Sequence, residues 1–235
     1  LCRRKRMLLT KESGFEKHRG RDRSSLSLPA LLFPLVDLTV QVLQRISEMV
    51  AYAKSFCQDI EFSAEDASRS EWAFLAQCYS NAVAAGATTL NVPDTVGYST
   101  PMEMAELITY LRQNVTGIEN VDISVHCHND LGMAVANSLA CVKAGATQIE
   151  CTVNGIGERA GNASLEELVM AIHTRRDFYD AETGINTKQI YRSSKLLSNI
   201  TGVPIPRNLA NHQGKPERHT GASEKEQMLE YVLKL

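Results

Sequence analysis

DISVHCHNDLGMAVANSLACVKAGATQIECTV, residues 122–153, is the stretch on which the fold reading turns. Asp122 to His128 is a short β-type run, Met133 to Ala144 carries apolar residues at helical spacing, and Gln148 to Val153 is a second β-type run. Gly145 stands between helix and second strand, where a helix end needs left-handed backbone. A strand, an amphipathic helix and another strand with so little chain between them make a βα unit of a parallel sheet.

The same alternation extends outward from about Val40. Asp59 to Ser63 and Thr89 to Pro93 read as strands, and Ser70 to Ala85 as a helix stopped by Gly86. Thr100, Pro101 and Glu103 form a capping box with proline in the first turn, opening a helix through Met104, Leu107, Ile108 and Leu111 that Gly117 can close. Ser164 and Glu167 repeat the box before Leu168, Val169 and Ile172. Ala-Gly-Ala-Thr recurs at 85–88 and 144–147, ending a helix and starting a strand both times; 59 positions are close to two βα units. The tetrapeptide is also ordinary helix-to-strand chemistry, so it supports the pattern only together with the four strands. Those strands favour either a (β/α) barrel or a doubly wound sheet. A further helix is predicted over Thr187 to Ile200, Gly202 to Pro206 reads as a linker, and the last ten residues suggest a short helix.

Net charge is −2 and the sequence pI near 6.3, so the total charge favours neither nucleic acid nor an anionic membrane as partner. Residues 1–23 depart from the mean, with nine Lys or Arg against Glu12, Glu16 and Asp22. A basic, Ser-containing start fits an organelle transit peptide, but such peptides avoid acids. Leu26 to Leu43 is apolar yet broken by Pro29, Pro34 and Asp37, a poor bilayer span. Cys2, Cys57, Cys78, Cys127, Cys141 and Cys151 make no CxxC pair, which argues against a zinc knuckle or disulfide framework and for a reducing compartment.

Three features can carry chemistry. His126 and His128 end a predicted strand, and side chains two apart share a face, so both imidazoles can reach one divalent ion at the C-terminal mouth of a barrel. His-x-His also occurs by chance. Asn154 to Asn162 holds Gly155, Gly157 and Gly161, which let backbone approach a ligand, and opens into the helix capped at Ser164. It is not G-x-G-x-x-G, and a plain Gly-rich loop reads equally well. Glu61 to Asp66 and Pro93 to Tyr98 put small polar and acidic residues at strand ends, where acids are usually solvated or capping.

EFSAEDASRS (61–70), NVPDTVGYSTP (91–101), HCHNDLGMAVANSL (126–139) and NGIGERAGNASLEEL (154–168), in this order, resemble strands five to eight of the 2-isopropylmalate synthases, within the metal-dependent aldolase-like barrels that include homocitrate and citramalate synthases. The resemblance runs from about Met49 to Asn208. It implies α/β architecture: half of a TIM-type barrel at 39–180, a post-barrel helix and linker at 181–208, a basic non-family leader at 1–38 and a divergent tail at 209–235. It makes His126 and His128 ligands of a divalent metal (Mn, Mg or Zn), with Asn162 in or beside the coordination shell. Ser63, Glu65 and Thr95 would line the 2-oxo acid pocket, Glu65 and Thr95 in catalytic roles, and Gly157, Glu158, Arg159 and Gly161 would form the loop near metal and substrate. The implied reaction is a Claisen-type condensation of acetyl-CoA with 2-oxoisovalerate in leucine biosynthesis. The implied setting is the cytoplasm, or an organelle such as a plastid in a eukaryote, with a homodimer as the full-length assembly. Partners implied are small molecules, with neither nucleic acid nor membrane.

The family's first-strand Asp-Arg-Glu motif, which completes the metal site and supplies an oxyanion-stabilising Arg, has no counterpart here, and His212 and His219 lie in an unrelated-looking tail. The expectation is therefore a fragment without synthase activity alone. It would carry parallel edges near Asp59 and Gln148 open to pairing, and an inward Ile, Val and Leu layer open to water. Rivals are homocitrate or citramalate synthase and, in another class, a non-catalytic remnant or docking module.

Overall fold

Punctuation in the sequence sets most of the helix boundaries. The computed structural model describes residues 23–29, 36–205 and 230–234. In chain order the elements are β1 (Arg23–Pro29), α1 (Val36–Lys54), β2 (Asp59–Glu65), α2 (Trp72–Ala84), β3 (Thr89–Asp94), α3 (Pro101–Asn114), β4 (Asp122–Cys127), α4 (Ala134–Ala144), β5 (Gln148–Thr152), α5 (Leu165–Thr174), the one-turn α6 (Arg176–Tyr179), α7 (Ile190–Thr201) and β6 (Glu230–Lys234). Thr100 and Glu103 close the capping box of α3 in both directions, the Glu103 carboxylate accepting from Thr100 N at 2.7 Å. At α5, Ser164 Oγ accepts from Glu167 N as expected, but its hydroxyl then turns to Glu166.

Helices α2 and α3 each depart from the sequence reading at one end. Helix α2 starts at Trp72, because Glu71 accepts from Ala73 N and Phe74 N while the Ser70 hydroxyl is taken by Asp66 O. Helix α3 stops at Asn114, where Val115 turns extended; Gly117, at φ 82°, begins a 3-10 turn over Ile118–Asn120.

The sheet runs β1-β2-β3-β4-β5-β6, parallel through β5, with β6 antiparallel to β5. Sequential strand order, with α1 packed along α2, α2 along α3, α3 along α4 and α4 along α5, is barrel winding. A doubly wound sheet would reverse its strand order and put helices on both faces. Ile60, Phe62, Leu90, Val92, Ile123, Val125 and Ile149 face these helices and pack with Leu75, Tyr79, Ile108 and Leu168 in one core. Tyr79 meets the Phe62 ring edge-on at 5.9 Å, and its hydroxyl donates to Asn91 O at 2.7 Å.

The opposite sheet face corrects a second expectation. Alternation puts Glu61, Ser63, Thr89, Asn91, Ser124, His126, Gln148, Glu150 and Thr152 there, all buried and all polar, in place of an Ile, Val and Leu layer. Several of these groups bond one another: Gln148 Nε2 donates to Glu61 Oε2 (2.9 Å) and Ser124 Oγ (2.8 Å), and Asn91 Nδ2 to Ser63 Oγ (3.1 Å).

The edges are a third correction. β1 lies against β2 from Arg23↔Asp59 to Pro29↔Glu65, and β6 against β5 from Gln148↔Lys234 to Thr152↔Glu230. Both edges read as open are thus paired, by segments of the leader and the tail, since an unpaired ladder of N–H and C=O groups is satisfied by any extended chain that can reach it. The short helix expected in the last ten residues is strand β6 instead. Among the described residues, no helix is long and apolar enough to cross a membrane, and Cys78, Cys127 and Cys141 are free thiols.

Candidate functional site

β4 delivers both histidines to one point. Cys127 between them turns into the helix-facing core, where burial pushes its thiol up to about 12, so His126 and His128 fall on the polar face. Their Nε2 atoms stand 3.1 Å apart and their ring centroids 4.8 Å. Opposite Glu150 in the β4–β5 register, His126 places Nδ1 2.9 Å from Glu150 Oε2. A carboxylate there favours a proton on Nδ1 and leaves Nε2 with its lone pair. His128 is driven down to about 4, first by burial, then by repulsion from His126 and from Arg159. At neutral pH it is an uncharged imidazole.

Asn162 reaches the same strand end by backbone. It forms an antiparallel bridge with His128, flanked by Asn129 N to Gly161 O (2.9 Å) and Ala163 N to Cys127 O (3.1 Å). Its side-chain Oδ1 is buried and accepts no hydrogen bond from the described residues. Gly157 passes directly over it: a Cβ on that glycine would stand 2.6 Å from Oδ1. Gly161 is as constrained, since at φ 92° a Cβ would come 2.1 Å from Gly155 O. These two glycines are required by close approach, which a plain Gly-rich loop would not need.

Of the other sequence-proposed residues, Ser63 is buried at the mouth end of β2 beside Asn91, Glu65 is exposed at the strand end, and Thr95 accepts from Asp66 N through Oγ1 at 2.9 Å. Arg159 joins loops that are far apart in sequence. It donates to both carboxylate oxygens of Asp130 (2.8 and 3.0 Å) and to Thr95 O (2.7 Å), and the pairing holds the Asp130 carboxyl below its usual range. Glu158 is exposed beside it.

Glu150, Asp94 and Asp130 were not singled out from sequence. Strand parity carried the signal for Glu150, which stands two positions on from Gln148 on the inward face. Asp94 accepts from Ser68 Oγ, Ser99 N and Ser99 Oγ, a saturated carboxylate that fixes the β3–α3 loop. Among the described residues no group of three or more His, Cys, Asp or Glu could by itself hold a metal ion. The available donors are two imidazole nitrogens and one amide oxygen, a set that suits a divalent ion able to complete its shell with water or substrate.

The family model described as HMGL-like matches residues 36–197. The chain is 57% identical over 184 residues to a 2-isopropylmalate synthase of Pyrococcus furiosus, covering 78% of this chain and 37% of that protein. It is 58% identical over 170 residues to a 2-isopropylmalate synthase of Ruminiclostridium cellulolyticum, covering 72% of this chain and 34% of that protein. The chain thus spans little more than a third of the length of these curated relatives. The solved HMG-CoA lyase of Acinetobacter baumannii, in complex with coenzyme A and 3-methylmalate, superposes with a TM-score of 0.64 at 18% identity over 85% of this chain and 68% of that one, a likeness of fold.

Proposed function

The chain belongs to the HMGL-like family, and from that premise we propose that it is the strand-five-to-eight half of the catalytic barrel of a 2-isopropylmalate synthase. The reaction would be condensation of acetyl-CoA with a 2-oxo acid, 2-oxoisovalerate, with hydrolysis of the thioester. Identities of 57% and 58% to relatives of that name favour it over homocitrate and citramalate synthase.

The observation that carries the reading is the 3.1 Å separation of two buried imidazole Nε2 atoms, with Asn162 bridged by backbone to His128 and its buried side-chain oxygen accepting no hydrogen bond from the described residues. With metal–nitrogen bonds of about 2.0–2.1 Å, two ligands at right angles stand about 3 Å apart. His126, His128 and Asn162 would hold a divalent ion (Mn, Mg or Zn), with Glu150 orienting His126. When bound, that ion supplies a Lewis acid for the carbonyl of the oxo acid. Ser63, Glu65 and Thr95, at the mouth ends of β2 and β3, would contact the oxo acid, and the loop carrying Gly157, Glu158, Arg159 and Gly161 would close over metal and substrate. The Arg159–Asp130–Thr95 tie would keep three βα loops in register around that pocket. Residues 39–180 would be the half-barrel and 181–208 the helix and linker that follow it.

Residues 36–197, exchanged for the matching segment of the Pyrococcus furiosus relative, should release CoA from acetyl-CoA and 2-oxoisovalerate. His128→Ala in that chimera should lower the rate more than a hundredfold, because even changes one bond removed from a metal typically cost about 10–100-fold. A rate within about tenfold of the parent chimera would overturn the assignment.

A further inference from the structure

Behind the Asn162 loop lies a buried polar knot that no step above uses. Asn154 sits in left-handed backbone (φ 61°, ψ 12°), uncommon for a residue with a side chain. Its N–H is held by both carboxylate oxygens of Glu166, at 3.2 and 3.0 Å. Its side chain is gripped from α7: Nδ2 donates to Ser194 O at 3.1 Å, and the Ser194 hydroxyl donates to Asn154 Oδ1. Glu166 and Ser194 are fully buried, and the Ser164 hydroxyl completes the set on Glu166 at 3.0 Å. The next residue, Gly155, accepts from Asn162 N at 3.0 Å through its carbonyl, and Asn162 bridges to His128.

From this chain of contacts we infer that Ser194 and Glu166 are positioning residues for the metal centre: helix α7, after the barrel strands, sets where the Asn162 amide stands, through Asn154 and the Gly155 carbonyl. The inference rests on the proposed metal site and adds to it a post-barrel determinant of metal affinity. A carboxylate on one side and a helix hydroxyl on the other fix Asn154 in a conformation its backbone does not favour. Loss of either lets 154–155 relax, and the acceptor for Asn162 N moves with it. An alternative, that the knot only docks α7 on the core, would leave the 155–162 hydrogen bond untouched.

The test uses the full chain and two readouts. In the metal-free chain, amide exchange at Asn162 should accelerate at least about tenfold in Ser194→Ala, while amides of Val125 and Ile149 keep their rates; equal acceleration at the strand amides, or none at Asn162, overturns the inference. Mn²⁺ titration followed by loss of the free-ion EPR signal should show affinity about tenfold weaker in Ser194→Ala and in Asn154→Gly, the latter keeping left-handed backbone without the side chain. In an Asn162→Ala background, Ser194→Ala should change affinity by no more than about twofold, because its route to the ion is gone. Full additivity of the two substitutions would assign α7 a general structural role instead. A parent chain that binds no Mn²⁺ would defeat the metal reading, while the exchange experiment would still decide whether α7 positions Asn162.

Discussion

Acidification should destabilise the metal-free chain through His128. Its folded-state pKa is about 4 against 6.5 for the exposed ring, with burial as the leading cause and His126 and Arg159 adding to it. A depressed histidine leaves stability whole above the unfolded value, and the unfolded chain takes up a proton the folded chain refuses as pH falls from 6.5 to about 4. At about 1.36 kcal/mol per unit, 2.5 units give about 3.4 kcal/mol. Part of the repulsion comes from exposed Arg159, which water screens, so about 2–3 kcal/mol is the expected loss. The assay is urea unfolding in EDTA at pH 7.0, 6.0, 5.0 and 4.5, parent against His128→Asn. Groups common to both proteins cancel. Between the extremes of pH the parent should therefore lose more stability than His128→Asn does, by about 2 kcal/mol or more. Parallel losses would refute burial of a neutral His128.

Glu150→Gln should weaken Mn²⁺ binding about tenfold with little change in thermal stability, because it removes the charge beside His126 Nδ1 while keeping its shape. Gly161→Ala combines a φ of 92° with a Cβ 2.1 Å from Gly155 O, and should lower unfolding free energy by more than about 2 kcal/mol, read by urea midpoint. Tyr79→Phe strips a buried hydroxyl that donates to Asn91 O and should cost about 1 kcal/mol by the same assay, leaving metal affinity unchanged.

The alternation of strand and helix was legible because βα units punctuate themselves: Thr100 with Glu103 and Ser164 before Glu167 start helices by local chemistry that no tertiary contact needs to supply, whereas barrel winding rests on the strand order. His126 and His128 were legible by strand parity alone. The same parity at 61, 63, 89, 91, 124, 148, 150 and 152 marks a polar inward face, while the apolar residues at 60, 62, 90, 92, 123, 125 and 149 serve the helices. The edge strands were hidden for a different reason. RSSLSLP at 23–29 and EYVLK at 230–234 pair with β2 and β5; Ser and Leu alternate at 25–28, but nothing local in either segment says which edge it will meet. The Asn154–Glu166–Ser194 knot was equally invisible, since it joins positions 40 residues apart through side chains that look like ordinary caps.

The central claim, that His126 and His128 share one divalent ion, is tested most directly by pulsed EPR of the Mn²⁺-loaded chain, which detects nitrogen nuclei coupled to the bound ion. One ion per chain coupled to two imidazole nitrogens is the expected result, with one coupling lost in His126→Ala, the other in His128→Ala, and both kept but weaker binding in Asn162→Ala. A spectrum without imidazole coupling, or one unchanged by either histidine substitution, would contradict it.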